Sequence, residues 1–238
     1  MNVVITGTCS GLGKSLRERF MAMGHMVLGS TNIVANETPD QKFMDHRSTT
    51  LIAEFAQWVA DNMQHVDLLI NNAGTNGIRK FEEIDASFLQ EMMQVNFVGP
   101  VLIAQALLPY VRPDGATILN ITSDAAWRPM RHSLAYNASK AALDMATRQM
   151  ARELTKPQNL TVVGVRPGKM SGTGMSAYIE EQVCAMRGWT PEQAQDYAAA
   201  NSVTGLELPT DVMATHIYNL VSSGVLKYAS GACMDLAG

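Results

Sequence analysis

The chain has 238 residues, 47% of them hydrophobic and 17% charged, with a formal net charge of −4. That balance suits one large α/β domain with a sizeable core and excludes a disordered chain. With no run of Lys or Arg, it also argues against nucleic acid or an anionic membrane as a partner.

Residues 2–6 read as a first strand, and the opening MNVVIT has no basic stretch of the signal-peptide kind. Folding from residue 2 onward, in the cytoplasm, is the expectation. Further strands are expected over 26–30, 42–45, 66–71, 117–121, 160–166 and 232–236. Helical periodicity occupies 12–23, 49–63, 87–110, 132–154 and 210–222. Such alternation predicts a doubly wound parallel sheet of about seven strands with helices on both faces. No apolar run approaches the roughly 18 residues of a membrane span. With no repeat or linker, 1–238 reads as a single domain.

Two segments break the rhythm. The connection over 31–41 is too short for a crossover helix and should be a loop or single turn. The excursion over 167–205 follows a strand's carboxyl end, starts Gly-rich and continues with Met, Tyr and Trp, so 168–205 is expected to form a lid.

The first strand runs into Thr6-Gly7-Thr8-Cys9-Ser10-Gly11-Leu12-Gly13, with a helix pattern following. A pyrophosphate needs close backbone approach and free N–H groups at a helix start, which Gly7, Gly11 and Gly13 would provide. The spacing is GxxxGxG rather than the usual GxGxxG, and a glycine-rich turn with no ligand is the plainer alternative. Cys9 inside this loop reads as a small space-filler, with an oxidisable thiol as the other possibility. Cys9, Cys184 and Cys233 show no CxxC or Cys/His spacing, so neither a disulfide framework nor a metal site is expected.

Later in the chain come NNAG at 71–74, Asn96, Ser123 and the pentad Tyr136-Asn137-Ala138-Ser139-Lys140. Taken alone, the four-residue spacing of Tyr136 and Lys140 fits either a helix surface or a proton-transfer pair. Together, TGTCSGLG, NNAG, Asn96, Ser123 and YNASK resemble the single-domain branch of the short-chain dehydrogenase/reductase family. The resemblance runs from Val3 to the closing SGACMDLAG. It implies a Rossmann-type domain that moves hydride between NAD(P)(H) and a secondary alcohol or ketone. By the same resemblance Tyr136 is the general acid/base, Lys140 lowers its pKa and holds the ribose, Ser123 positions the substrate oxygen, and Asn96 supports a proton relay. Physically, the two residues lie one turn apart on one helix face. An ammonium and an oxidised nicotinamide ring would both favour the phenolate.

The cofactor residues implied are Gly7, Ser10, Gly11, Leu12, Gly13, Thr31, Asp45, Asn72, Ala73, Gly74, Tyr136, Lys140, Pro167, Gly168 and Thr173. Asp45 would meet the adenine amino group, and the adjoining His46 would offer a backbone contact. Asn71–Gly74 would serve the sheet or the adenosine side of the cofactor. Ser30-Thr31-Asn32 stands where an Asp would select NAD or an Arg would select NADP; the missing acid inclines the reading to NADP. Lys169, Gly172 and Gly174 suggest a loose loop beside Thr173. Met170, Met175, Tyr178, Met186, Trp189 and Tyr197 fit an apolar lid or the packing of two short helices. Trp127, Arg128, Arg131 and His132 form either a basic rim that welcomes an anionic group or simply solvated surface. A homo-oligomer, dimer or tetramer, is implied through 87–110 and 132–154. The rival functions are an epimerase or dehydratase with bound cofactor, and a cofactor-binding sensor or scaffold without turnover.

Overall fold

The computed structural model describes residues 1–200, 202 and 204–236. Asn201 and Val203 of the expected lid, and Ala237 and Gly238 of the closing segment, lie outside the described residues. The elements follow in the order β1 (Asn2–Ile5), α1 (Gly11–Ala22), β2 (Met26–Thr31), β3 (Gln41–Phe43), α2 (Thr49–Asn62), β4 (Leu68–Asn71), α3 (Ala86–Met93), α4 (Gly99–Leu107), β5 (Ala116–Ile121) and α5 (Leu134–Gln158). Then come β6 (Leu160–Pro167), β7 (Met170–Ser171), α6 (Gly174–Arg187), α7 (Pro191–Ala200), β8 (Leu208–Pro209), α8 (Thr210–Ser222) and β9 (Cys233–Leu236).

β1 is apolar at consecutive positions because both of its faces are covered. Val3 and Ile5 join Leu16 and Phe20 of α1 and Met213 and Ile217 of α8. Val4, between them, turns to the opposite layer, among Ile52, Phe55 and Val59 of α2 and Ile103 and Leu107 of α4. Alternation with period two thus feeds two cores from one strand. The sheet is parallel throughout, in the order β3-β2-β1-β4-β5-β6-β9. Strand order reverses between β1 and β4, which opens a crevice beyond their carboxyl ends. The 31–41 connection holds a single 3-10 turn at Val34–Asn36, as its length requires.

The expected helix over 87–110 is continuous but not uniform. A π turn at Gln94–Val98 separates α3 from α4, and the Gly99 N–H reaches the Gln94 carbonyl across it. Pro100 explains the defect: it has no N–H to give Asn96, four residues back, and its ring crowds that carbonyl. The whole helix, Ala86–Tyr110, corrects one expectation. By length and composition alone it could cross a membrane, with a mean hydropathy of 1.4 in its most apolar window. Here Ile103, Ala104 and Leu107 pack into the core.

The excursion after β6 contains α6 and α7, and its ends are joined by parallel pairing of Met170–Ser171 with Leu208–Pro209. Lys169 is not the source of looseness the sequence suggested: its ammonium binds Glu180 at 3.6 Å and also Glu207.

Candidate active site

Asn96, Ser123 and the Tyr136–Lys140 pair come from three separate places in the sequence and are all buried, with between 0% and 8% of their surface exposed. Ser123 lies two residues past β5, where the parallel strand ends in the crevice. Its hydroxyl donates to Asp124 Oδ1 at 3.0 Å and accepts from Ala125 N at 3.1 Å. α5 presents Tyr136 and Lys140 one turn apart, with Lys140 Nζ 5.9 Å from the phenol ring centre. That ammonium donates to Ile121 O, the last carbonyl of β5, at 3.0 Å.

Their protonation departs from the simple expectation. Burial pushes the Tyr136 phenol up to about 12, and the Asp124 charge pushes the same way; its hydrogen bond with Ser123 pulls partly back. Burial lowers Lys140 to about 8. The protein alone therefore keeps Tyr136 protonated, a proton donor rather than a base. The reason is that desolvation of the phenolate outweighs an ammonium already committed to Ile121.

Asn96 sits on the π turn and binds nearby backbone and Ser139. Its Nδ2 donates to Thr75 O (2.9 Å) and Ser139 Oγ (3.0 Å), and its Oδ1 accepts from Thr75 N (2.8 Å). Ser139 in turn donates to Tyr136 O at 2.8 Å. Asn96 thus ties the segment after β4 to the helix carrying Tyr136.

The glycine loop has the shape a pyrophosphate requires. Gly7 and Gly11 have φ of 72° and 52°, and a Cβ on Gly13 would stand 2.0 Å from the Gly7 carbonyl oxygen. Ser10 starts α1 without a side-chain cap, so the first-turn N–H groups, including those of Leu12 and Gly13, face outward for an anion. A Cβ on Gly74 would stand 3.1 Å from Asn96 Oδ1 and 3.4 Å from Lys140 Nζ. These cradles fit a dinucleotide cofactor. Pro167 ends β6, and the Gly168 N–H bonds Leu236 O at 3.3 Å. Thr173 caps α6 through Ser176 N at 2.9 Å, and its methyl lies 3.5 Å from where a Gly11 Cβ would be. The turn after β6 therefore overhangs the glycine loop.

Several expected contacts are already spent within the protein. The Thr31 hydroxyl closes on Ile33 (3.0 Å from its N–H), and Ser30 Oγ accepts from Gly7 N at 3.1 Å, leaving Asn32 as the exposed member of that triplet. Asp45 lies beyond β3, and its partly exposed carboxylate binds the Arg47 side chain at 2.7 to 3.0 Å. Asn72 Nδ2 bonds Thr6 O at 2.9 Å, and Ala73 N bonds Thr6 Oγ1 at 2.9 Å. This pair shapes the loop rather than offering side chains to a ligand.

Sequence reasoning offered His46 only as a backbone contact and passed over Gln41 and Arg166. His46 is a buried imidazole whose Nε2 has no hydrogen-bond partner among the described residues. Gln41 accepts from Thr8 at 2.7 Å and braces the glycine loop. Arg166 forms a buried two-pronged pair with Asp144, at 2.7 and 2.8 Å, and reaches Asp235 of β9 at 3.4 Å. Trp127 Nε1 closes that cluster on Asp235 at 3.2 Å. The lid residues divide between the two roles expected. Met175, Tyr178 and Met186 line a cavity of about 720 Å³ that begins at Gly74. Trp189 and Tyr197 pack on each other, with ring centres 5.2 Å apart.

The short chain dehydrogenase family matches residues 1–183. An uncharacterized oxidoreductase of Bacillus subtilis, YvrD, is 29% identical over 86% of this chain and 81% of its own length. Sorbitol-6-phosphate 2-dehydrogenase of Klebsiella pneumoniae is 26% identical over 99% of this chain and 94% of its own. In fold, the chain superposes on a variant actinorhodin polyketide ketoreductase with NADPH at a TM-score of 0.92. That match has 22% identity and covers 100% of this chain and 95% of the other. L-sorbose reductase of Gluconobacter frateurii, complexed with NADPH and L-sorbose, gives 0.88 at 21% identity, over 99% and 94% of the two chains.

Proposed function

Because the chain belongs to the short chain dehydrogenase family, we propose that Tyr136, Ser123 and Lys140 make up the catalytic group of this NAD(P)-dependent oxidoreductase. The substrate is a small molecule with a secondary alcohol or ketone. NAD(P), when bound, supplies or takes up the hydride. In the reducing direction Tyr136 gives its phenolic proton to the substrate oxygen, held by Ser123 Oγ. The neutral phenol favoured by burial is the form that this step needs. Lys140 places a cation beside the phenolate left behind and can restore its proton. Asn96 holds the Thr75 backbone and Ser139, keeping the Tyr136 turn in register.

The glycine loop, Gly74, Pro167–Gly168 and Thr173 would hold the cofactor. NADP is the preferred form. No carboxylate stands at the end of β2 to repel a 2′-phosphate, and both superposed reductases are described with NADPH. Residues 168–205 act as the substrate lid. Assembly into a homo-oligomer would use the helices over 87–110 and 132–154, and the three free thiols suit the cytoplasm.

The single observation that carries this reading is the convergence of Ser123, Tyr136 and Lys140 on the carboxyl end of β5. Its test is Tyr136→Phe, assayed beside titrations with NADPH and NADH by reduced-nicotinamide fluorescence. Turnover should fall at least about hundredfold while NADPH still binds, and more tightly than NADH. A variant with undiminished turnover would remove Tyr136 from the chemistry.

A further inference from the structure

A second cavity, of about 500 Å³, lies beside the one that begins at Gly74, and Met186 lines both. Its walls carry Lys80, Arg131, His132, Arg187 and Trp189, with Glu82 as the carboxylate among them. We propose that this cavity holds an anionic oxygen group of the substrate, a phosphate monoester or a carboxylate, while the carbonyl or alcohol reaches Tyr136. The inference rests on the oxidoreductase reading and names its substrate class.

Charge is the first argument. Three permanent cations line the cavity with one carboxylate, Glu82, and neither Arg131 nor Arg187 has a carboxylate partner among the described residues. Lys80 pairs with Glu83 at 3.7 Å, but both side chains are about half exposed, and such pairs hold weakly.

Preorganisation is the second. The Arg187 guanidinium stands 4.4 Å from the Trp189 ring centre and 4.7 Å from that of Tyr197. Contact with both rings confines the guanidinium while leaving N–H groups for a charged hydrogen bond to an oxyanion. His132 is held at a φ of 67°, a conformation that a residue with a Cβ seldom adopts, and its carbonyl accepts from Arg79 N at 3.0 Å.

Reach is the third. Arg131 and His132 directly precede the helix that carries Tyr136. Met186 lines both cavities, so the cationic one adjoins the one that begins at Gly74, where a Cβ would stand 3.4 Å from Lys140 Nζ. Cofactor phosphates belong to the glycine loop, at a different part of the crevice, so they do not account for this cluster.

The test uses protein saturated with NADPH, so that the glycine loop is already filled. Inorganic phosphate and acetate are titrated separately by calorimetry into the wild type, Arg187→Met and Arg131→Gln. At least one of the two anions should bind, and each substitution should weaken it about tenfold, the loss of one charged hydrogen-bonding partner. Which anion binds distinguishes a phosphate from a carboxylate substrate. Binding of neither anion, or equal binding in all three proteins, overturns the proposal. A matched neutral and charged ketone pair provides the kinetic arm: the charged-to-neutral ratio of kcat/KM should fall about tenfold in each variant. An unchanged ratio in both variants also overturns it. Failure of NADPH to load would instead strike the oxidoreductase reading, and this inference with it.

Discussion

At the carboxyl end of β5, Asn96, Ser123, Ser139 and Lys140 use their polar atoms on one another and on nearby backbone, and none is more than 8% exposed. Across the crevice, α6 buries no residue and α7 buries only Ala194, so the segment expected to be a lid is held by Lys169, a two-residue strand pair and the tilted pair of Trp189 and Tyr197. Ser123, Tyr136 and Lys140 are therefore fixed by the same packing that makes the sheet. On the proposed reading, substrate choice falls to a segment that can change without disturbing that packing.

The sharpest way to break this contrast is Lys140→Met. It should lower turnover at least about hundredfold. It should also raise stability by about 1–2 kcal/mol, because a desolvated ammonium is replaced by an apolar chain of similar length. A lower melting temperature would mean that the corner is held up by its polar bonds and not burdened by its charge.

His46 offers a smaller effect from the same corner. Burial first, and Lys140 to a lesser degree, push its pKa down to about 4, although Asp45 opposes them. Between pH 6.5 and about 4 the unfolded chain binds a proton that the folded one refuses. Stability should thus fall as pH drops through that window, by up to about 1.4 kcal/mol per pH unit. Denaturant unfolding at several pH values should show this slope in the wild type and a flatter one in His46→Leu. Equal slopes would mean that the imidazole is solvated.

Least costly to the fold is Tyr178→Ala in the lid. KM should rise severalfold while stability changes by no more than about 0.5 kcal/mol, since 47% of the side chain is exposed. A large drop in melting temperature would make the lid part of the core after all.

The five inner strands were legible because both of their faces are buried, which leaves apolar runs in the sequence; the edge strands β3 (QKF) and β9 (CMDL) are only partly buried, yet all seven were expected. The β7–β8 pair was not, since two residues carry no period. Nor was the π turn, which becomes intelligible only when Pro100 is set against the carbonyl of Asn96. Tyr136, Lys140 and Ser123 could be read because local spacing and strand ends govern them. For Asp45 and Thr31 the sequence did not show the competitors for their side chains, Arg47 and the backbone at Ile33. Lys80 and Arg187 lie far apart in the chain and meet only because α6 folds back over the segment after β4.

The Arg166–Asp144 pair receives its second carboxylate from Asp235, on the last described strand. On a ribosome, β1, α1 and β4 can assemble the glycine loop once the first third of the chain has emerged, since β1 finds both of its sheet neighbours there. The clamp on α5 is complete only when β9 is made and docks on β6. A nascent molecule can thus form its glycine loop early, whereas the buried ion-pair cluster on α5 waits for the last described strand.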